Sequence, residues 1–448
     1  NEAGGRITLV FEARDALGKR TRLSRSVVFT EAFETHVRTA DVTGDGVLDV
    51  VANASIADIG GVTDAGALYV WAGASTPSAA PTATLTVPGA QAFDQLGGLG
   101  YSHGASLQFG DVTGDGVDDV VCLAHEAGAG SPPDGALYVF AGGASLVGAV
   151  APRATLTAPG ARGLGESGGQ GLLLADVTGD GVLDLVVGAE DASVNGVSNT
   201  GAIYLYRGGP SLTGTLAPSQ VLAVPGAHAS DHLGVAGGQG IRFGDVTGDG
   251  VLDVIASTWQ ADVGARIDAG AVYVWAGGSA PSASPTVTLV SPSAYGALGS
   301  DLATQFADVT GDGVLDVLVV VPHATVAGKI GVGAVFVFPG GAGLVGALEA
   351  PVILADPAGA VYDRLGASLG DVTGDGLLDV VASVVDADLG GVVDVGAVKI
   401  FSVGSATGLI VPRATLAVPG AISGDRLGYA NESGQQLDYA EQLIRRAL

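Results

Sequence analysis

The chain has 448 residues, 19 Lys+Arg against 46 Asp+Glu, a single cysteine and a formal charge of −27. Such acidity excludes nucleic acid as a partner, because phosphate recognition needs a basic face. Cys122 alone cannot form an internal disulfide or a multi-cysteine metal site, and no stretch reaches the roughly 18 uninterrupted apolar residues of a membrane-spanning helix.

Hydrophobic residues make up 47% of the chain, ample for a core. The start at Asn1 carries no charged and apolar leader pattern, so any targeting signal is expected to have been removed already. Residues 1–38 hold seven basic residues (Arg6, Arg14, Lys19, Arg20, Arg22, Arg25, Arg38) against five acids, which leaves −29 on the rest. This segment contains two strand-like runs, GRITLVF at 5–11 and RSVVFTEA at 25–32. Two readings of its charges are open, a partner contact and, ahead of it, solvated edge-strand charges that deter pairing between sheets.

From residue 41 the chain repeats itself. Asp-Val-Thr-Gly-Asp-Gly begins at Asp41, Asp111, Asp176, Asp245, Asp308 and Asp371, at intervals of 63 to 70 residues. Each copy has a further aspartate at its ninth position: Asp49, Asp119, Asp184, Asp253, Asp316 and Asp379. These six loops account for 18 of the 46 acids. After each loop comes a short apolar run, as in Leu48–Ala54. Next is a Gly-led strand signal: GALYVW at 66–71, GALYVF at 135–140, GAIYLY at 201–206, GAVYVW at 270–275, GAVFVF at 333–338 and GAVKIF at 396–401. Their β-branched and aromatic alternation has period two. A Pro-led segment ending in a turn closes the repeat, as in PTATLTVPGA at 81–90 and PRATLAVPGA at 412–421; it suits an outer edge strand.

One repeat therefore holds four antiparallel strands with the acidic loop between the first and the second. About 66 residues per repeat suits a propeller blade. The expected fold is all-β: a single seven-bladed β-propeller over 1–448. Blades one to six span about 33–421. The seventh is shared between the termini, with its outer half at 5–32 and its inner half at about 422–448, where DRLG at 425–428 repeats the first-strand signal DQLG at 94–97. The apolar spacing of Leu437, Ala440, Ile444 and Leu448 leaves strand and helix both open for the last twelve residues.

Within each loop, positions 1, 3, 5 and 9 offer side-chain oxygens and position 7 a backbone carbonyl. The sets are Asp41, Thr43, Asp45, Val47, Asp49; Asp111, Thr113, Asp115, Val117, Asp119; Asp176, Thr178, Asp180, Val182, Asp184; Asp245, Thr247, Asp249, Val251, Asp253; Asp308, Thr310, Asp312, Val314, Asp316; and Asp371, Thr373, Asp375, Leu377, Asp379. All are hard oxygen donors, which suits Ca²⁺ better than Mg²⁺, an ion that dehydrates reluctantly. An EF-hand would need a bidentate Glu at position 12 and a following helix. Here position 12 is Ala52, Cys122, Val187, Ala256, Val319 or Ala382, inside a β-branched run. The loop thus belongs to a β-hairpin. Neither of two alignments, with Ala430 and Gly434 or with Ser433 and Leu437 at positions 1 and 5, supplies a seventh carboxylate set, so six structural ions are expected.

The combination of a Gly-rich first strand, a DxTGDGxxD loop, an apolar strand and GA-φ-Y-φ-φ resembles the FG-GAP repeat of integrin α-subunit propellers, over nearly the whole chain. The resemblance implies the calcium ligands just named, an extracellular or cell-surface setting and an adhesive or recognition role. The uniform loops and Ala/Gly richness resemble bacterial integrin-like proteins.

Positions that vary between repeats are where specificity can reside. Six residues beyond the ninth-position aspartate, the second strand ends on the face opposite the loops, at Ser55, His125, Glu190, Trp259, Pro322 and Val385. With the residues that follow, this nominates His125, Glu126, Glu190, Asp191, Trp259, Gln260, Arg266 and His323 as ligand contacts; each also has a bland reading as a packed or hydrogen-bonded structural residue. Cys122 reads as core packing.

The expected function is a calcium-rigidified, monomeric binding module for an extracellular protein or glycan, and not an enzyme. The alternatives are a polysaccharide-degrading propeller and a structural spacer in a larger surface protein. Against catalysis, the six histidines (36, 103, 125, 228, 232, 323) are scattered among repeats. No serine elbow or HExxH appears. A glycosidase carboxylate pair is not legible from spacing in sequence.

Overall fold

The structure, a computed structural model, describes residues 5–14 and 20–29 as backbone, and 37–98, 106–128, 134–165, 171–234, 240–264, 266–267, 269–290, 298, 304–322, 324–329, 331–357, 359 and 365–427 in full. Every regular element among them is a strand.

Each repeat forms one antiparallel sheet, giving six sheets of four or five strands. In the second, Leu107–Gly110, Asp119–Ala124, Ala136–Phe140 and Ala154–Thr157 lie side by side in chain order. The others follow the same order, from Val37–Ala40 in the first sheet to Ala414–Leu416 in the sixth. This architecture fits a propeller. Residues 5–14 and 20–29 form a separate hairpin paired over ten residues, Gly5 opposite Phe29 through Arg14 opposite Arg20. It is longer than the third–fourth strand pairing inside any sheet, which spans three or four residues. The expected inner half of a seventh blade at about 422–448 lies outside the described residues from 428 on, as do the alternative loop alignments at 430–441 and the strand-or-helix question at 437–448.

The period-two pattern explains why the sheets stack. Val120, Cys122, Tyr138 and Phe140 of sheet two point to sheet one and share a core with Val51, Leu68 and Leu85. The alternate residues Val121, Leu123, Leu137 and Val139 point the other way, against Leu185, Val187 and Tyr204 of sheet three. Both faces of an inner sheet are therefore buried, and its second strand is buried along its whole length. Each fully buried Val or Leu contributes roughly 2 kcal/mol.

Two backbone devices fasten one sheet to the next. In the first, the DxLG segment crosses the boundary. Leu96 donates its amide to Ala65 of sheet one at 3.0 Å, and Gly97 donates to Leu123 of sheet two at 2.9 Å. The aspartate closes the preceding turn: Asp94, Asp231 and Asp425 each accept an amide through Oδ2, from Gln91, His228 and Ile422. Asp363 lies outside the described residues.

The second device corrects the expectation that the Pro-led strand is the outer edge. In four sheets a fifth strand from the following repeat pairs parallel to it: Gly148–Val150, Gly214–Leu216, Gly346–Glu349 and Gly408–Ile410. These strands sit in the connections between third and fourth strands. In repeats one and four that connection lacks a strand, and the third strand ends in tryptophan. The indole of Trp71 donates to the Ala79 carbonyl at 3.4 Å and that of Trp275 to Ala283 at 3.3 Å. The indole thus folds the shorter connection over itself.

Candidate metal loops and the opposite face

The six acidic loops are built alike. Position 1 caps its own loop: Asp111 Oδ1 accepts the amides of Gly114 at 2.7 Å and Asp115 at 3.0 Å, and Oδ2 accepts Gly116 at 2.8 Å. The same three bonds recur at Asp41, Asp176, Asp245, Asp308 and Asp371. The glycines at positions 4 and 6 make this possible, with φ of 75° and 89° at Gly114 and Gly116, a region that L side chains disfavour. Position 5 uses only Oδ1, on the position-7 amide: Asp45 to Val47, Asp115 to Val117, Asp180 to Val182, Asp249 to Val251, Asp312 to Val314 and Asp375 to Leu377. Its Oδ2 is left unengaged by the loop.

Position 9 is the buried post of each loop, with Asp49, Asp119, Asp184, Asp253 and Asp316 at 0% exposure and Asp379 at 1%. Asp119 Oδ2 accepts the amides of Val112 and Thr113 at 2.9 and 2.8 Å, while Oδ1 takes the Gly142 amide at 3.0 Å. Burial pushes the carboxyls of Asp119, Asp184, Asp253 and Asp316 above their ordinary value, and the donated amides offset this in part. At Asp379 burial pushes upward too, but the Ser402 hydroxyl at 2.6 Å and the Thr373 amide prevail, and its carboxyl falls below the ordinary value.

Among the described residues, no three His, Cys, Asp or Glu side chains are gathered closely enough to hold an ion. The carboxylates at positions 1, 5 and 9 all accept backbone amides. The donor chemistry nonetheless fits a hard cation: every side-chain donor is a carboxylate or hydroxyl. At position 3, Thr178 Oγ1 and Thr373 Oγ1 are buried without a hydrogen-bond partner. In the other loops Thr43, Thr113, Thr247 and Thr310 donate to the position-9 Oδ1 at 3.1 to 3.4 Å.

On the opposite face the second strands end at Ala54, Ala124, Ala189, Thr258, Val321 and Val384, as the spacing predicts. Among the described residues, four of the candidates, His125, Glu126, Asp191 and Arg266, lie in side-chain pairs. His125 is 4% exposed and its Nε2 lies 3.3 Å from Glu126 Oε1, with Nδ1 buried and unpartnered. Asp191 pairs with His232 at 3.2 Å, and Arg266 with Glu349 at 2.6 Å. Glu190 and Gln260 are half-buried, and Trp259 is 38% exposed. His323 lies outside the described residues. A cleft in sheet one, lined by Ile59, Val62, Thr86, Val87 and Pro88, contains none of them.

The sequence reading missed the roles of His232 and Arg426. Each is the variable residue of a DxLG segment and pairs with an acid just past a second strand, His232 with Asp191 and Arg426 with Asp386 at 3.1 Å. The signal was available as a basic residue in DHLG and DRLG facing an acid one repeat earlier. Cys122 is fully buried and free, and burial pushes its thiol far above the ordinary range, as core packing predicts.

The FG-GAP repeat family matches residues 168–206. The matched segment carries the first three strands of sheet three, Leu172–Ala175, Asp184–Ala189 and Ala202–Tyr206, with the acidic loop between the first two. The chain is similar to that family over this segment. The five other sheets share its strand order and loop geometry, which fits an FG-GAP propeller.

Proposed function

We propose that the chain is an integrin-like β-propeller of the bacterial kind, stabilised by calcium and acting outside the cell as an adhesion or recognition module without catalytic activity. The observation that carries this reading is the sixfold recurrence of one loop with one hydrogen-bond pattern and an all-oxygen donor set. Asp, Thr and Asp at positions 1, 3 and 5, the carbonyl at position 7 and Asp at position 9 would hold the ion. Bound calcium would supply positive charge beside the carboxylates of each loop. Six divalent ions would bring the formal charge from −27 to −15. The similarity to FG-GAP repeats, typical of extracellular domains, supports the setting, where calcium is plentiful.

The ring we propose has seven blades. Val50 is 38% exposed, whereas its counterparts Val120, Leu185, Val254, Val317 and Val380 are at most 1% exposed. At the other end Leu416 is 43% exposed, against 0% for Leu85, Leu156, Leu222, Leu289 and Leu354. Among the described residues, the apolar faces carrying Val50 on sheet one and Leu416 on sheet six thus lack the neighbouring sheet that covers their counterparts. The hairpin of residues 5–29 together with residues 428–448 is the proposed seventh blade between them.

The test is thermal unfolding of the full chain in EDTA and with calcium restored. At a hundredfold excess over Kd each site adds about 2.7 kcal/mol, so six sites raise the melting temperature strongly. A melting temperature indifferent to EDTA sinks the calcium reading. A glycan- and protein-binding screen run beside a polysaccharide turnover assay addresses the recognition role; turnover would overturn it.

A further inference from the structure

We propose that the loops take up their ions cooperatively, each loop coupled to the one before it through the turn that follows the third strand. The proposal rests on the calcium reading above. At the first junction Asp119 Oδ1 of loop two holds the amide of Gly142 at 3.0 Å. The next amide, Gly143, donates to the carbonyl of Val42 in loop one at 2.8 Å. Val42 lies between the donor positions Asp41 and Thr43. The two amides belong to adjacent peptide planes that meet at the Cα of Gly142, in a turn packed so closely that a Cβ there would lie 2.2 Å from the Asp118 carbonyl and 2.9 Å from that of Val42. Whatever orders Asp119 therefore also places the anchor for the peptide between two donors of loop one.

A second contact runs beside the first. The side chain of Val117, at position 7 of loop two, sits over Gly44 at position 4 of loop one; a Cβ on Gly44 would come within 3.0 Å of it. Position 7 is itself a donor position through its carbonyl. Both links thus tie donor-bearing peptides of one loop to donor-flanking peptides of its neighbour.

The glycine-to-valine bond recurs at the four other described junctions. Gly209, Gly278, Gly341 and Gly404 donate to Val112, Val177, Val246 and Val309 at 2.8, 2.9, 2.8 and 3.1 Å. The bond from the ninth-position aspartate is made to Gly208, Gly277 and Gly340 at 3.0 to 3.1 Å. In the sixth repeat the Ser402 hydroxyl makes it instead. The position-4 glycines Gly114, Gly179, Gly248 and Gly311 face Val182, Val251, Val314 and Leu377 in the same way. An ion that orders one loop removes part of the ordering cost of the next, and the coupling is positive.

The experiment is a calorimetric calcium titration of the EDTA-stripped full chain, with melting curves taken in parallel. Wild type is expected to titrate with a Hill coefficient above one. Gly142→Ala leaves every donor in place but puts a Cβ 2.2 Å from the Asp118 carbonyl and 2.9 Å from that of Val42. It is expected to lower the Hill coefficient and to weaken two of the ions by about tenfold. Val117→Ala, which keeps its carbonyl and introduces no clash, is expected to lower the coefficient as well and decides the matter if Gly142→Ala does not fold. Calcium uptake by wild type with a Hill coefficient of one, or wild-type steepness in the folded variants, overturns the coupling and leaves the calcium reading standing. No heat and no melting shift in wild type overturns the calcium reading itself, and the coupling with it.

Discussion

Lys399 Nζ lies 2.8 Å from Asp356 Oδ2, and the lysine is only 4% exposed. It occupies the middle of a third strand, where the other five repeats carry Tyr69, Tyr138, Tyr204, Tyr273 and Phe336. Asp356 follows the fourth strand of the preceding sheet, so this ion pair spans a boundary that the other repeats fill with an aromatic ring.

Removing one partner of a buried pair leaves the other charge desolvated. Asp356→Ala is therefore expected to destabilise by about 3 kcal/mol. Adding Lys399→Tyr to that variant should recover most of the loss, because the ring suits the same site in four other repeats. Urea unfolding of the two variants checks this; a double variant no better than the single one contradicts it.

Leu416 tests the proposed seventh blade. If the hairpin and the C-terminal segment cover sheet six, Leu416→Ala should cost about 2–5 kcal/mol, as for a buried leucine, and match Leu354→Ala. A loss near zero for Leu416→Ala beside a large loss for Leu354→Ala would mean that the face is open in solution.

Gly201 shows what the DxLG crossing demands. Its φ is +74°, and a Cβ there would lie 2.2 Å from the Leu233 amide nitrogen. Neither backbone can move without breaking the junction between sheets three and four. Gly201→Ala is expected to destabilise by roughly 3 kcal/mol or more. Gly196→Ala, at φ +82° with open space around it, should cost only the left-handed strain of about 1–2 kcal/mol. Melting temperatures of the two variants should differ accordingly.

The turn aspartates set a pH dependence. Burial pushes the carboxyls of Asp94 and Asp231 above the ordinary 3.8, with the Gln91 and His228 amides offsetting part of it. The folded state then binds protons more readily than the unfolded chain between 3.8 and the raised values. Stability from these groups falls as pH rises through that window and is lowest above it. In EDTA the protein should melt higher as pH is lowered from 7 towards the ordinary carboxylate value. Asp94→Asn with Asp231→Asn should raise the melting temperature at pH 7 and flatten the profile. A steeper profile in the double variant contradicts this.

Much of the fold was legible before any coordinates. Period-two runs such as GALYVF mark strands because alternate side chains face opposite neighbours. The sixfold DVTGDG phase set the sheets and placed each loop between the first two strands of its sheet. The fifth strands were not legible, since Gly148–Val150 and its counterparts are three or four residues long and pair only across a repeat boundary. The pairs Asp191–His232 and Asp386–Arg426 also cross a repeat boundary, but the basic residue in DHLG and DRLG carried a signal for them.

By itself the sequence determined the repeat, its strand order, the chemistry of the six loops and the burial of Cys122, because local pattern and donor type do not depend on distant residues. Only the tertiary structure decided how the loops are wired to one another. A hydrogen bond such as Gly143 to Val42 joins peptides about a hundred residues apart, and their meeting depends on the stacking of whole sheets. The same stacking brought Asp191 to His232 and Arg266 to Glu349. It also left apolar side chains exposed on sheets one and six, where the proposed seventh blade would fit.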